Sequence, residues 1–307
     1  MAFFGTPEFA VPSLEALLAG PHETVAVVSQ PDRKRGRGRR ASPSPISEVA
    51  LREGRPLLRP QRVGDPEVVT ELTALAPDLG VVVAFGQFLP KHDRELPSLG
   101  YLINGHASLL PRHRGAAPIQ RAILAGDPVT GVSIMRVERR MDAGPVALTR
   151  QTPIRANENA GELAARIAAL TAEAVMEVLD SIAAGTEEWT PQDDDDATEA
   201  PKIGREDGRL DWSLTAEALA RRVRALAPAP GAFGLLDGET LRILAARSID
   251  DPVDAPPGTV RAASGALRIA TGRGWLVPDR LQRPGGRSLD TAAFLRGRDI
   301  PDGSTLD

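Results

Sequence analysis

Asn104 and His106 stand two residues apart at the end of a short apolar run, in "YLINGH". The amide of Asn104 offers N–H donors, and the imidazole of His106 offers a donor or a proton. A carboxylate, Asp142, follows in "RRMDAGP", beside Ala143 and Gly144. An Asp beside a His fixes the tautomer of the ring, and the His can then donate a hydrogen bond or a proton. An Asn amide and a charged imidazole converging on one point form an oxyanion hole for acyl transfer. No Ser, Cys or Lys stands out as a covalent nucleophile, which favours direct attack by an external one. Spacing alone leaves a plainer reading open. A lone Asn-x-His is more often structural than catalytic, and an Asp before Ala-Gly can serve only to shape a turn.

Groups on separate segments converge only when a frame holds them, and the first half of the chain supplies one. "AFF" (2–4), "TVAVVS" (24–29), "DLGVVVAFG" (78–86), "YLIN" (101–104) and "GVSIMRVE" (131–138) read as strands. The third is apolar throughout, as strands buried on both faces are. Helix patterns lie between them: "FAVPSLEALLAG", closed by Gly20, and "DPEVVTELTALAP", with Asp65 as N-cap and Pro66 in the first position. The alternation predicts an α/β fold with a Rossmann-like, mostly parallel sheet covered by helices. Ligands on such sheets gather at the carboxyl ends of strands, where Asn104 and His106 lie. Asp142 is expected at a neighbouring strand end. A long helix is predicted over about 159–184, with Asn159 and Glu162 as its capping pair.

After Gly185 the texture turns polar and acidic, in "GTEEWTPQDDDDATEAPKIGREDGR". This predicts a first domain over 1–188, a linker over 189–205 and a second domain over 206–307. The "DDDD" run (193–196) reads as a solubilising stretch. The second domain has one helix pattern, "TAEALARRVRALAP", then short strands punctuated by Gly and Pro, which suggests a small OB-like β-barrel. A length of 307 residues agrees with two domains. A net charge of −4 argues against a generic nucleic-acid binder, and the absence of cysteine excludes disulfides and thiolate metal or redox sites. No apolar run approaches the roughly 20 residues of a membrane span. The N-terminus "MAFFGTPEFA" lacks the basic and apolar parts of a signal peptide. A cytoplasmic, monomeric protein without metal is expected.

Resemblance decides what spacing leaves open. The stretch from Asn104 and His106 through "SLLPRHRGAAPIQRAILAGD" to "TGVSIMRVERRMDAGP" resembles the methionyl-tRNA formyltransferase branch of the folate-dependent formyltransferases. So do "FFGTPEFAVPSLEAL", "SQPDRKRGRGR", "VVVAFGQFLP", "APKIGREDGRLDWS" and "PAPGAFGLLDG". The likeness runs along essentially the whole chain. It implies transfer of a formyl group from the cosubstrate 10-formyltetrahydrofolate to the amino group of initiator methionyl-tRNA, with the amine attacking directly. Asn104 and His106 would then stabilise the oxyanion of a tetrahedral intermediate. Asp142 would hold His106 charged and take or relay the amine proton. The folate would sit between Phe85, Gly86, Gln87, Leu89 and Pro90 on one side and Ser108, Leu109, Leu110 and Pro111 on the other, touched largely by backbone. Two departures from the family pattern stand out: Gly105 replaces a β-branched residue, which should loosen the strand, and Ala229 replaces a Trp.

"GRGRRA" (36–41) matches a dinucleotide fingerprint, but no strand leads directly into it and no helix follows it, so hydride transfer is rejected. The window "RKRGRGRR" (33–40) carries +6 in a chain of −4, leaving the remainder at −10. Such a patch on an acidic background seeks anions. As a loop without regular structure, it would meet the tRNA acceptor stem through Arg33, Lys34, Arg35, Arg37, Arg39 and Arg40, extended by Arg112 in "PRHR" (111–114). His113 reads as a surface or RNA-facing residue. Lys202, Arg205 and Arg242 are weaker candidates for holding RNA. Two alternatives stay open: a folate-dependent formyltransferase acting on a small amine, and a tRNA-binding protein without catalysis.

Overall fold

The computed structural model describes residues 1–35, 40–263 and 266–307, with the side chains of 34, 35, 40 and 263 outside the description. The chain divides into two compact units. The first comprises 1–115, 129–153 and 164–200, and the second 116–128, 154–163 and 201–307. Residues 189–200, expected in a linker, thus lie within the first unit.

The elements in chain order begin with β1 (Ala2–Gly5), α1 (Val11–Ala19), β2 (Ala26–Val28), β3 (Arg33–Arg35), β4 (Arg40–Ser42), α2 (Pro45–Arg52), β5 (Leu57–Leu58) and α3 (Pro66–Ala74). Then follow β6 (Gly80–Val83), α4 (Lys91–Arg94), β7 (Leu102–His106), α5 (Pro118–Ala125), β8 (Val129–Arg136), β9 (Val146–Pro153) and α6 (Ala160–Ala184). The first unit is built on a seven-stranded sheet of order β5-β2-β1-β6-β7-β8-β9. Strands β5 to β7 in that order run parallel, while β8 and β9 are antiparallel additions. The mostly parallel sheet expected from the alternation is therefore present. The chain leaves β1 toward β2 and β5, then returns to the other side of β1 as β6. That reversal makes the β1/β6 boundary a topological switch point, where ligands gather in open α/β sheets.

Both faces of this sheet are covered, which is why its strands read as apolar without alternation. Phe3, Val81, Val83 and Ile103 turn to one face, against Leu14 and Leu17 of α1 and Val175 and Leu179 of α6. Phe4, Val82 and Leu102 turn to the other, against Leu72 of α3. The capping pair of α6 forms as its sequence suggests. Asn159 Oδ1 accepts from the N–H of Gly161 and Glu162, and Glu162 Oε2 accepts from the N–H of Asn159.

The second unit contains α7 (Ala216–Leu226), β10 (Ala232–Leu236), β11 (Glu239–Ile249), β12 (Val260–Ala263), β13 (Ala266–Ala270), β14 (Trp275–Gln282), β15 (Ser288–Asp290) and α8 (Thr291–Gly297). Its strands form one antiparallel sheet, β10-β11-β14-β13-β12, with β15 on β14. Leu219, Val223 and Leu226 of α7 share its core with Ile243, Ile269 and Leu276.

Candidate active site

Strand β7 presents Asn104 and His106 on one face, since side chains two apart on a strand point the same way. Gly105 between them faces α6. A Cβ there would stand 2.6 Å from Thr171 Cγ2, so the helix supplies the methyl group that the strand lacks. Gly105 stays in the ladder of the sheet despite the loosening expected of it. The residue is buried and pairs in register with Ile134.

The imidazole of His106 is 6% exposed and has an acceptor at each nitrogen. Nε2 lies 3.0 Å from the carbonyl oxygen of His113. A carbonyl only accepts, so Nε2 carries a proton. Nδ1 faces Asp142 Oδ2 at 3.6 Å, too long for a hydrogen bond and close enough for an ion pair. That gap makes Nδ1 the ring atom open to chemistry. Asp142 Oδ2 also accepts from the N–H of Gly115 at 2.9 Å. Asn104 is partly exposed, and its side-chain amide has no partner among the described residues.

Asp142 does not arrive as the sequence suggests. Because β8 is antiparallel to β7, its last residue, Arg136, pairs with Ile103 and lies away from the carboxyl end of β7. The segment 137–145 has to travel back toward that end to bring Asp142 to His106. Asp142 itself adopts a left-handed backbone, φ +52. The turn closes tightly at Gly144, where a Cβ would stand 2.0 Å from the carbonyl oxygen of Arg136.

The loops at the switch point are tied together. Thr6, after β1, donates through Oγ1 to the carbonyl of Phe85 at 2.8 Å, and Gln30, after β2, donates through Nε2 to the same oxygen at 3.0 Å. Several predicted folate contacts have side chains already engaged. Phe85 is buried edge-on against Phe4, and Leu89 is buried in the core. Gln87 accepts from Val63 N and donates to the Pro60 carbonyl. Ser108 donates to the Arg112 carbonyl at 2.6 Å. Gly86, exposed at φ +80, and the partly exposed Pro90, Leu109, Leu110 and Pro111 remain accessible. The loops bearing the two groups follow β6 and β7, which are parallel neighbours. Ser133 on β8 stiffens the second loop by accepting from Leu110 N and donating to the Ser108 carbonyl.

The basic window is not irregular at its ends. β3 and β4 pair as a two-stranded ribbon with Arg35 opposite Arg40. Arg37 and Arg39 lie outside the described residues, as do the side chains of Lys34, Arg35 and Arg40. Arg33 is exposed and donates to Gln30 Oε1, linking the ribbon to the residue that holds the Phe85 loop. Arg112 is exposed, but His113 is buried, contrary to the surface role expected of it. The reason is its backbone, which serves His106 from one side and is fastened from the other by Thr198. Arg114 is buried too, held by Gln192 and Asp194, so "PRHR" does not extend the basic surface as a whole.

Reading along the sequence missed four residues. Phe88 and Met141 are the most exposed large apolar side chains among the described residues, at 66% and 68%. Each lies beside a residue already singled out, and an aromatic or Met in a Gly- or Arg-rich loop was the available signal. Gln192 and Asp194 carried none, lying within or beside an acidic run. Asp194 is no mere solubilising charge. It pairs with Arg114 at 2.7 Å and with Arg140, and these guanidiniums hold its carboxyl below the usual range.

The formyl transferase profile matches residues 1–179, and a formyl transferase C-terminal domain profile matches 202–299. The chain belongs to the formyl transferase family. Relatives named methionyl-tRNA formyltransferase include one from Methylococcus capsulatus, 47% identical over 295 residues covering 96% of each chain. Another, from Halorhodospira halophila, is 46% identical over all of this chain and 98% of its own. Among solved structures, the N-formyltransferase from Helicobacter canadensis, in complex with folinic acid and dTDP-3-aminofucose, shares the fold. Its TM-score is 0.68 at 16% identity, over 90% of this chain and 97% of its own. HypX from Aquifex aeolicus with tetrahydrofolic acid aligns over all of this chain and 50% of its own, with a TM-score of 0.63 at 20% identity. Among the described residues of this formyl transferase, no group of three His, Cys, Asp or Glu could hold a metal ion. No helix there is long and apolar enough to cross a membrane.

Proposed function

We infer that this formyl transferase moves the formyl group of 10-formyltetrahydrofolate to the amino group of initiator methionyl-tRNA. The observation that carries the chemistry is His106 set between two acceptors, with Nδ1 facing Asp142 and the Asn104 amide open on the same strand face. Asn104 and the Nδ1–H of His106 donate to the formyl oxygen as the amine adds and negative charge develops there. Asp142 accepts the proton that the amine sheds, directly or through water. Collapse of the adduct breaks the bond to the folate nitrogen, which leaves with a proton as tetrahydrofolate. The backbone at Gly86 and around Leu109 to Pro111 takes the folate, and the exposed Phe88 and Met141 offer it apolar surface. Arg33, Lys34, Arg35, Arg37, Arg39, Arg40 and Arg112 take RNA phosphates. In this reading the first domain, expected over 1–188 and extended by the 189–200 strap, carries the chemistry, and 206–307 hold tRNA on an OB-like barrel, in a monomeric cytoplasmic enzyme.

Names of relatives at 44–47% identity over nearly the whole chain support tRNA as acceptor over a small amine. The test is a formyl-transfer assay with methionine-charged initiator tRNA against free amines and amino-sugar nucleotides. Transfer to charged tRNA is expected, and turnover confined to the small amines would overturn the reading.

A further inference from the structure

The imidazole of His106 is gripped through two stretches of backbone, and one segment, 190–200, fastens both. On the Nε2 side the accepting carbonyl belongs to His113, whose φ is +58. The N–H of His113 donates to Thr198 Oγ1 at 2.9 Å, and Arg114 exchanges backbone hydrogen bonds with Thr198 and Ala200. On the Nδ1 side, Asp142 occupies the left-handed region that residues with a Cβ rarely enter. Such a conformation persists where the surroundings over-determine it. Gln192 does so: its Nε2 donates to the carbonyls of both Asp142, at 2.9 Å, and Gly144, at 2.7 Å. A carboxamide can flip, and flipped it would present an oxygen to two carbonyls. Arg114 forbids the flip. Its Nε and Nη2 donate to Gln192 Oε1 at 3.0 and 2.8 Å, and its Nη1 is held by Asp194. A guanidinium has no acceptor, so only one orientation of the amide satisfies both neighbours.

We propose that Gln192 is a positioning residue of formyl transfer: oriented by Arg114, its carboxamide holds the 142–144 turn so that the Asp142 carboxylate meets Nδ1 of His106. The proposal rests on the reaction inferred above. Gln192 acts through Asp142 and not on the substrates, so its loss lowers turnover and leaves binding alone.

The test is a double-mutant cycle on the full-length protein, read by formyl transfer to methionine-charged initiator tRNA. Gln192→Glu keeps the oxygen that Arg114 holds and puts an acceptor where the donor faced two carbonyls. The unfolding temperature is expected to stay near that of the parent, with both KM values within about twofold and kcat lower by roughly 10²-fold, the scale of an ångström's misplacement. In an Asp142→Ala background the same substitution should change kcat by less than about threefold, because the group it positions is gone. Should Gln192→Glu fail to fold, Gln192→Met fills the same space without donors, and the same dependence on Asp142 is expected of it. An unchanged kcat, or an equal loss with and without Asp142, would overturn the proposal while the reaction stands. A parent protein inactive on charged tRNA would overturn both together.

Discussion

In the proposed reaction His106 is the residue on which the most depends. Its Nε2 is spent on a carbonyl of the same chain, so that reaction uses Nδ1 as the donor. Removing the ring by His106→Ala should lower turnover about 10²–10³-fold, the scale of one lost oxyanion donor. The folate dissociation constant should barely move, which equilibrium titration would check. Parent-like turnover would sink the mechanism. Next to it, Gly105 tests packing without touching chemistry. Gly105→Val drives a methyl group into Thr171 and should cost about 1–3 kcal/mol, as overpacked cores do. Thr171→Ala in the same chain should recover part of that loss in a denaturant titration. No recovery would mean that the helix is not what limits the space.

At the scale of elements, the proposed reaction assigns substrate to the basic ribbon and the loop at the switch point. Arg35→Ala, Arg37→Ala and Arg39→Ala together should raise the KM for tRNA and flatten its dependence on salt, by about one unit of log–log slope for each phosphate that is no longer neutralised. The KM for folate should stay as it is. A parent-like tRNA KM and salt slope would show that the window is only solvated surface. The elements themselves were largely legible: the valine-rich runs form buried strands, and Asn159 with Glu162 marks the start of α6. Legibility failed where strand direction mattered. Nothing in "GVSIMRVE" says that β8 runs against β7, so the sequence brings Asp142 toward His106 by the wrong route. It failed again at 190–200, because a polar acidic string has the same composition whether it floats or straps. Backbone carbonyls and N–H groups, such as those of His113 and Gly115, leave no mark on a sequence at all.

At the scale of the molecule, three hydrophobic clusters serve two compact units, one on each face of the first sheet and one in the second unit. In the second, Trp275 is fully buried, donates through Nε1 to the Pro252 carbonyl at 3.0 Å, and lies under the guanidinium of Arg268. Trp275→Ala should cost about 3–5 kcal/mol of that unit's stability, the usual range for a buried Trp. A lower denaturant midpoint would register it, and an unchanged one would show that the ring is not a keystone of that core. The first unit has a property of another kind. It is not contiguous in the chain: His106, Gly115 and Asp142 precede α6, while Gln192, Asp194 and Thr198 follow it. Translation moves at roughly 5–20 residues per second, so for several seconds the growing polypeptide holds its histidine and its aspartate without the strap that joins them. Until about two thirds of its sequence has emerged, an unfinished copy therefore lacks the residues that fasten the backbones of His113 and Asp142. Order of synthesis thus sets when the two backbones on either side of His106 are fastened.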